Sequence, residues 1–173
     1  MVNAIRKKAS SELALNIGFF AMVIGMFMAI LDIQIVASSI SEIQAGVSAS
    51  QEEIAWIQTG YLVAEVVGIP LSGFLNRAFG IRKLFMMSAA GFVISSVLCA
   101  MSWDLDSLIF FRIVQGFSGA AMVPTTMAAS FTLFPAGRSM TQQVMIVMVA
   151  TLAPSIGPTL GGWITQHMSW HWL

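Results

Sequence analysis

Five uninterrupted apolar runs, each long enough to cross the hydrocarbon of a bilayer, constrain this chain more than any other feature. A helix rises about 1.5 Å per residue, so about 20 apolar residues span the core. Such runs extend from Leu13 to about Ile40, Ile54 to about Asn76, Leu84 to Met101, about Leu108 to Phe134, and Ser139 to Gln166. Lipid offers no water to an unpaired backbone amide, so each run must be helical. The expected fold is all-α: a polytopic transmembrane bundle of five helices over residues 13–173, behind a short N-terminal segment at residues 1–12.

Composition excludes the alternatives. Charged residues make up 9% of the 173, against about 25% in a soluble domain, and the mean hydropathy is +0.84. That is too little charge to cover a globule in water. The net charge of zero gives nucleic acid no support as a partner. Cys99 is the one cysteine, so no intrachain disulfide can form, and His167 and His171 have no acid or thiol nearby to build a metal site. No nucleophile–base constellation appears, which argues against an enzyme. The many methionines and phenylalanines read as lipid-facing and packing bulk.

The links between runs are short, which predicts sequential helices as antiparallel neighbours. Ser50 with Glu53 three residues later predicts a capping box at the start of the second run. Basic residues fall on alternate links: Arg6, Lys7 and Lys8; then Arg77, Arg82 and Lys83; then Arg138 beside Pro135 and Gly137. The other links carry Glu42, Glu52, Glu53, Asp104 and Asp106, with no Lys or Arg. The positive-inside rule places the N-terminus in the cytoplasm. Three basic residues before an apolar run also describe a signal peptide, but this run is too long and lacks a clear cleavage site, so an uncleaved anchor is expected.

Charges inside lipid cost at least about 2.5–3.5 kcal/mol each on insertion scales, so they are functional candidates. Three occur: Asp32, Glu65 and Arg112. Asp32 and Arg112 lie at similar depth near the outer ends of the first and fourth runs, so mutual neutralisation is expected. Glu65 falls near the midplane. Gln58, Tyr61 and Glu65 share one helical face, and Arg112, Gln115, Gly116, Gly119 and Ala120 share another. A proton or substrate pathway and a structural ion pair both fit these faces. In the fifth run Ala153, Gly157 and Gly161 recur every four residues, a spacing that lets backbones approach closely. Pro154 and Pro158 remove two backbone donors there and predict a kink.

Several motifs together resemble the major facilitator superfamily, in particular its EmrB/QacA-type fourteen-helix drug:proton antiporters. The run from Gly73 to Lys83 (GFLNRAFGIRK) is similar to that family's G-x-L-a-D-r-x-G-r-k loop. Gly73, Leu75 and Gly80 match, Arg82 and Lys83 supply the basic end, and Arg77 stands at the usual aspartate. Leu31 to Val36 (LDIQIV) resembles L-D-x-T-I-V, with Gln34 for threonine. Arg112 to Ala121 (RIVQGFSGAA) resembles R-x-x-Q-G-x-x-x-A. The run Ala153, Pro154 through Gly157, Pro158, Gly161 and Gly162 (APSIGPTLGG) resembles the antiporter motif G-x-x-x-G-P-x-x-G-G, with alanine first.

The resemblance implies five of the six helices of the N-terminal half of an alternating-access exporter in a bacterial inner membrane. Proton entry would drive efflux of amphipathic drug-like molecules, with the proton gradient as energy source and no cofactor. It implies proton coupling at Asp32, Arg112, Gln115 and Glu65, and cavity residues at Gln34, Gln58 and Tyr61. A periplasmic adaptor protein and an outer-membrane channel are the partners it suggests beyond the lipid. Ser169 to Leu173 (SWHWL) resembles the stretch leading into a sixth helix. The chain is therefore expected to be a truncated or partial sequence that does not transport alone. A non-transporting scaffold or regulatory truncation, and part of an uptake symporter, stay as alternatives.

Overall fold

The computed structural model of the chain describes the backbone of residues 2–134 and 136–173, and the side chains of residues 12–134 and 140–173. The basic side chains of Arg6, Lys7, Lys8 and Arg138, together with Pro135 and Gly137, lie outside the described residues. Among the described residues seven α-helices follow one another: α1 (Val2–Ser38), α2 (Ile40–Val47), α3 (Gln51–Phe79), α4 (Ile81–Ala100), α5 (Leu105–Gly119), α6 (Met122–Thr132) and α7 (Ala136–His167). A 3₁₀ turn at Trp170–Trp172 ends the chain. Among the described residues five stretches are long and apolar enough to cross a membrane: Glu12–Ser38, Gln51–Phe79, Ile81–Ala100, Leu105–Thr132 and Met140–His167. Ile17, Phe20, Val66, Phe131 and Val147 stand exposed on the outside of the bundle, as a lipid solvent allows.

Two helix breaks depart from the sequence reading. The first run was expected to end near Ile40 in a loop; instead α1 turns at Ser39 into the amphipathic α2, which carries Glu42. Ser38 Oγ donates to its own Ile35 carbonyl at 2.9 Å, and Ser39 N is shared between Ile35 O and Val36 O at 3.1 and 3.2 Å. Such local bonding is a recognised cause of helix bends. The fourth run was expected as one helix from Leu108 to Phe134, but it divides between Gly119 and Met122. Pro124 favours the break: it has no N–H to offer the Ala120 carbonyl, and it sits in the first turn of α6, where that donor is not needed. By contrast α7 remains helical through both Pro154 and Pro158.

The packing order follows the expectation of sequential neighbours where α4 meets α5, and departs from it where α5 packs on α3 and α7 on α1. The most extensive contacts join α3 to α5, α1 to α7, and α4 to α5. Small residues set these seams. A Cβ placed on Gly116 would strike the Tyr61 carbonyl oxygen, and one on Gly157 would strike the Gln34 side chain. On Gly161 it would meet Ser38 Oγ at 2.6 Å and the Ile35 carbonyl at 3.0 Å. Close approach at small residues therefore adds the non-sequential α3–α5 and α1–α7 seams to the sequential α4–α5 pair.

The ends are capped by local chemistry. Ser50 Oγ accepts from Glu53 N at 3.3 Å while Ser50 N donates to Glu53 Oε2 at 2.9 Å, the expected capping box. At the start of α5, Ser107 N donates to Asp104 Oδ1 at 2.8 Å and Asp104 N donates to Ser107 Oγ. Those hydrogen bonds from Ser107 hold the Asp104 carboxyl below its ordinary value, so this cap weakens as pH falls through that lowered titration. Gly80 joins α3 to α4 at φ +79°, a conformation that disfavours any side chain.

Gly116→Ala is expected to lower the thermal stability of the detergent-solubilised protein by about 1–3 kcal/mol, because the clash is with backbone and cannot relax. Gly73→Ala meets nothing within 4 Å and serves as the control, with little change expected. Equal melting temperatures for the two would refute the tight α3–α5 seam.

Candidate functional site: a buried ion pair beside a cavity

Asp32 projects from the last third of α1 and Arg112 from the second turn of α5. Their side chains are only 11% and 6% exposed. Arg112 Nη1 donates to Asp32 Oδ2 at 2.7 Å. Gln115, one helical turn on from Arg112, donates through Nε2 to Asp32 Oδ1 at 3.2 Å and to Ser96 Oγ of α4 at 2.7 Å. Cys99 Sγ, one turn beyond Ser96, donates to Gln115 Oε1 at 3.6 Å. Both carboxylate oxygens are thus engaged, and three helices are tied at one level.

The physical reason for the arrangement is desolvation. Removing one partner of a buried ion pair leaves a charge without compensation and typically costs about 3–5 kcal/mol. The charged hydrogen bonds to Asp32 offset that cost, and Gln115 fixes the carboxylate's orientation. Satisfaction is not complete: Arg112 Nε, Tyr61 Oη and Ser39 Oγ are buried with no hydrogen-bond partner.

Beside this network, toward the end of the bundle that carries α2, lies a cavity of about 280 Å³. Asp32, Arg112, Gln115 and Cys99 line it from the bundle, and Trp170 and His171 from the C-terminal turn. Trp170 lies against Gly46 of α2, where any Cβ would strike its indole.

The structure distributes the remaining candidates unevenly. Asp32, Arg112 and Gln115 come together. Tyr61 is buried on the face that α3 turns to α5, while Gln58 and Glu65 are half-buried at its edge. Gln34 is carried to the α1–α7 seam against Gly157. Ala153, Gly157 and Gly161 are buried in that seam; Pro154 and Gly162 are half-buried and Pro158 is exposed. Gly73, Gly80, Arg77, Arg82 and Lys83 are exposed and Leu75 half-buried, at the opposite end of the bundle from the ion pair. Sequence reasoning missed Ser96 and Cys99. They sit in a run without charge, and Ser95 beside Ser96 bonds only to its own helix, at Gly91 O and Phe92 O. Nothing local marks which serine reaches Gln115.

Residues 22–173 match the family model of the Major Facilitator Superfamily. The chain belongs to the major facilitator superfamily. Among curated relatives of this superfamily protein, the colistin resistance protein EmrB of Acinetobacter baumannii is 54% identical over 90% of this chain and 30% of its own length. The fatty acid resistance protein FarB of Neisseria gonorrhoeae is 36% identical over 87% of this chain and 30% of its own. The multidrug export protein EmrB of Escherichia coli K12 is 32% identical over 88% and 30%. The facilitator chain thus spans about a third of the length of these relatives, and it is a multi-pass membrane protein of the same type.

Gln115→Leu would leave Asp32 Oδ1, Ser96 Oγ and Cys99 Sγ without their partner, and is expected to cost about 1–3 kcal/mol of stability. Gln115→Glu sets a second carboxylate beside Asp32 and should cost more. Thermal denaturation of both variants checks the order, and an unaffected Gln115→Glu protein would contradict the geometry.

Proposed function

We propose that these helices form part of a proton-coupled multidrug exporter that works by alternating access in a bacterial inner membrane, with its N-terminus in the cytoplasm. One observation carries the reading: a carboxylate, a guanidinium and an amide, hydrogen-bonded to each other at membrane depth, next to a cavity. A carboxylate in lipid can exchange its proton only where a partner and a route exist, and Asp32 has both. In this reading protonation of Asp32 loosens its bond to Arg112 and so changes how α1 is held against α5. Glu65 and Tyr61 are proposed as a second polar level on α3, with Gln58.

The relatives' names carry resistance to colistin, to fatty acids and to multiple drugs, which supports amphipathic small molecules as the substrate class. The energy source is the proton gradient, with no cofactor. A periplasmic adaptor and an outer-membrane channel are proposed as partners. Exposed Arg77, Arg82 and Lys83 at one end, and exposed Glu42 and Asp104 at the other, support the orientation. Because the chain spans 30% of these relatives' length, transport is proposed for these helices together with a second half. Vesicles holding only the 173 residues are expected to show no proton-dependent efflux.

In proteoliposomes of the transporter carrying these helices, Asp32→Asn is expected to cut proton-driven efflux of ethidium by about 100-fold, while Asp32→Glu keeps part of it. Full efflux in Asp32→Asn would defeat the proposal.

A further inference from the structure

The cavity outside the ion pair has a titratable group at its mouth that the proposed function does not use. His171 is half-buried, so one side meets the outer surface while another lines the same cavity as Asp32. Its ring is held in place twice: it stacks on Trp170 with centroids 3.7 Å apart, and its Nδ1 lies 2.8 Å from Ser169 Oγ. Trp170 is itself seated on Gly46 of α2. Engaging Nδ1 leaves Nε2 as the nitrogen free to exchange protons. The cavity, about 280 Å³, has room for several waters at about 30 Å³ each, and its wall offers them Asp32, Arg112, Gln115 and Ser96.

Resting on the proton-coupled reading above, we propose that His171 passes protons between the outer aqueous face and Asp32 through water held in this cavity. In the inward step a proton leaves the imidazolium, travels along the waters and arrives on the Asp32 carboxylate. The neutral imidazole then takes a proton from outer water, so charge and protons balance. The titratable and charged groups facing this path are Asp32 from α1, Cys99 from α4 and Arg112 from α5. The wall residues from α2 and α3 are Ile43 and Ile57, which carry no charge. On α7, His167 is exposed and stacked on Trp163.

The test has two arms. Cys99 is the one cysteine of the chain and lines the cavity, so it reports whether water reaches it. In membranes containing this chain, a small cationic thiosulfonate added from the outer side is expected to modify Cys99, and faster in His171→Ala. A Cys99 inert in both overturns the water path. In the second arm, ethidium-driven proton movement is followed with a pH-sensitive dye in proteoliposomes of the transporter. His171→Ala is expected to slow it about tenfold or more, and external imidazole to restore it. A structural role for His171 would not give imidazole rescue. Wild-type proton flux that His171→Ala leaves unchanged, or that imidazole does not restore, overturns this inference alone. No proton flux in the wild type defeats the proton-coupled reading and this inference with it.

Discussion

Two opposite charges held 2.7 Å apart at membrane depth govern the rest of this structure. A lone carboxylate or guanidinium there has no water to solvate it, so Asp32 and Arg112 must meet. Meeting requires α1 and α5 to share a level and a rotation, and Gln115 draws α4 to the same level through Ser96. That demand propagates into packing. The α5 backbone comes so close to α3 that only a glycine fits opposite Tyr61, and α7 closes on α1 over Gly157 and Gly161. Without a hydrophobic force between helices in lipid, close backbone contact and these polar bonds are what hold the bundle.

The two ends of the bundle do different work. At one end the α3–α4 turn is short, built around the positive φ of Gly80 and surrounded by exposed cations. At the other, Ile43 of α2 and the Trp170–Trp172 turn line the cavity beside the ion pair. The polar chemistry is therefore near that end. Two of the buried but unpartnered atoms, Arg112 Nε and Tyr61 Oη, lie on the facing α5 and α3.

Much of this was legible in the sequence, for reasons that can be stated. Apolar runs of bilayer length announce crossings because the solvent demands them, and rare charges within them announce partners. Depth counting put Asp32 and Arg112 at one level with opposite sign, and the order of four motifs pointed to the facilitator family. Helix continuity was harder to read. The bend at Ser39 arises from serine hydroxyl bonding that any Ser-Ser pair offers and few use. The break after Gly119 has a clearer signal in Pro124, masked in the sequence by the apolar run that continues through it. Pairing between non-sequential helices was not legible either, because a small-residue face shows that a helix is approached but not by which partner. Gln34 illustrates the point: a polar residue two positions from Asp32, it packs on Gly157 instead of facing the ion pair.

The central claim is that Asp32 and Arg112 act on each other directly, and a double-mutant cycle measures it. Stability of the wild type, Asp32→Asn, Arg112→Gln and the double variant is determined under one set of conditions. A coupling energy above about 1 kcal/mol, with the double variant less damaged than the two single losses added together, is the predicted result. Strictly additive losses would show that the two side chains do not interact, and would contradict the account.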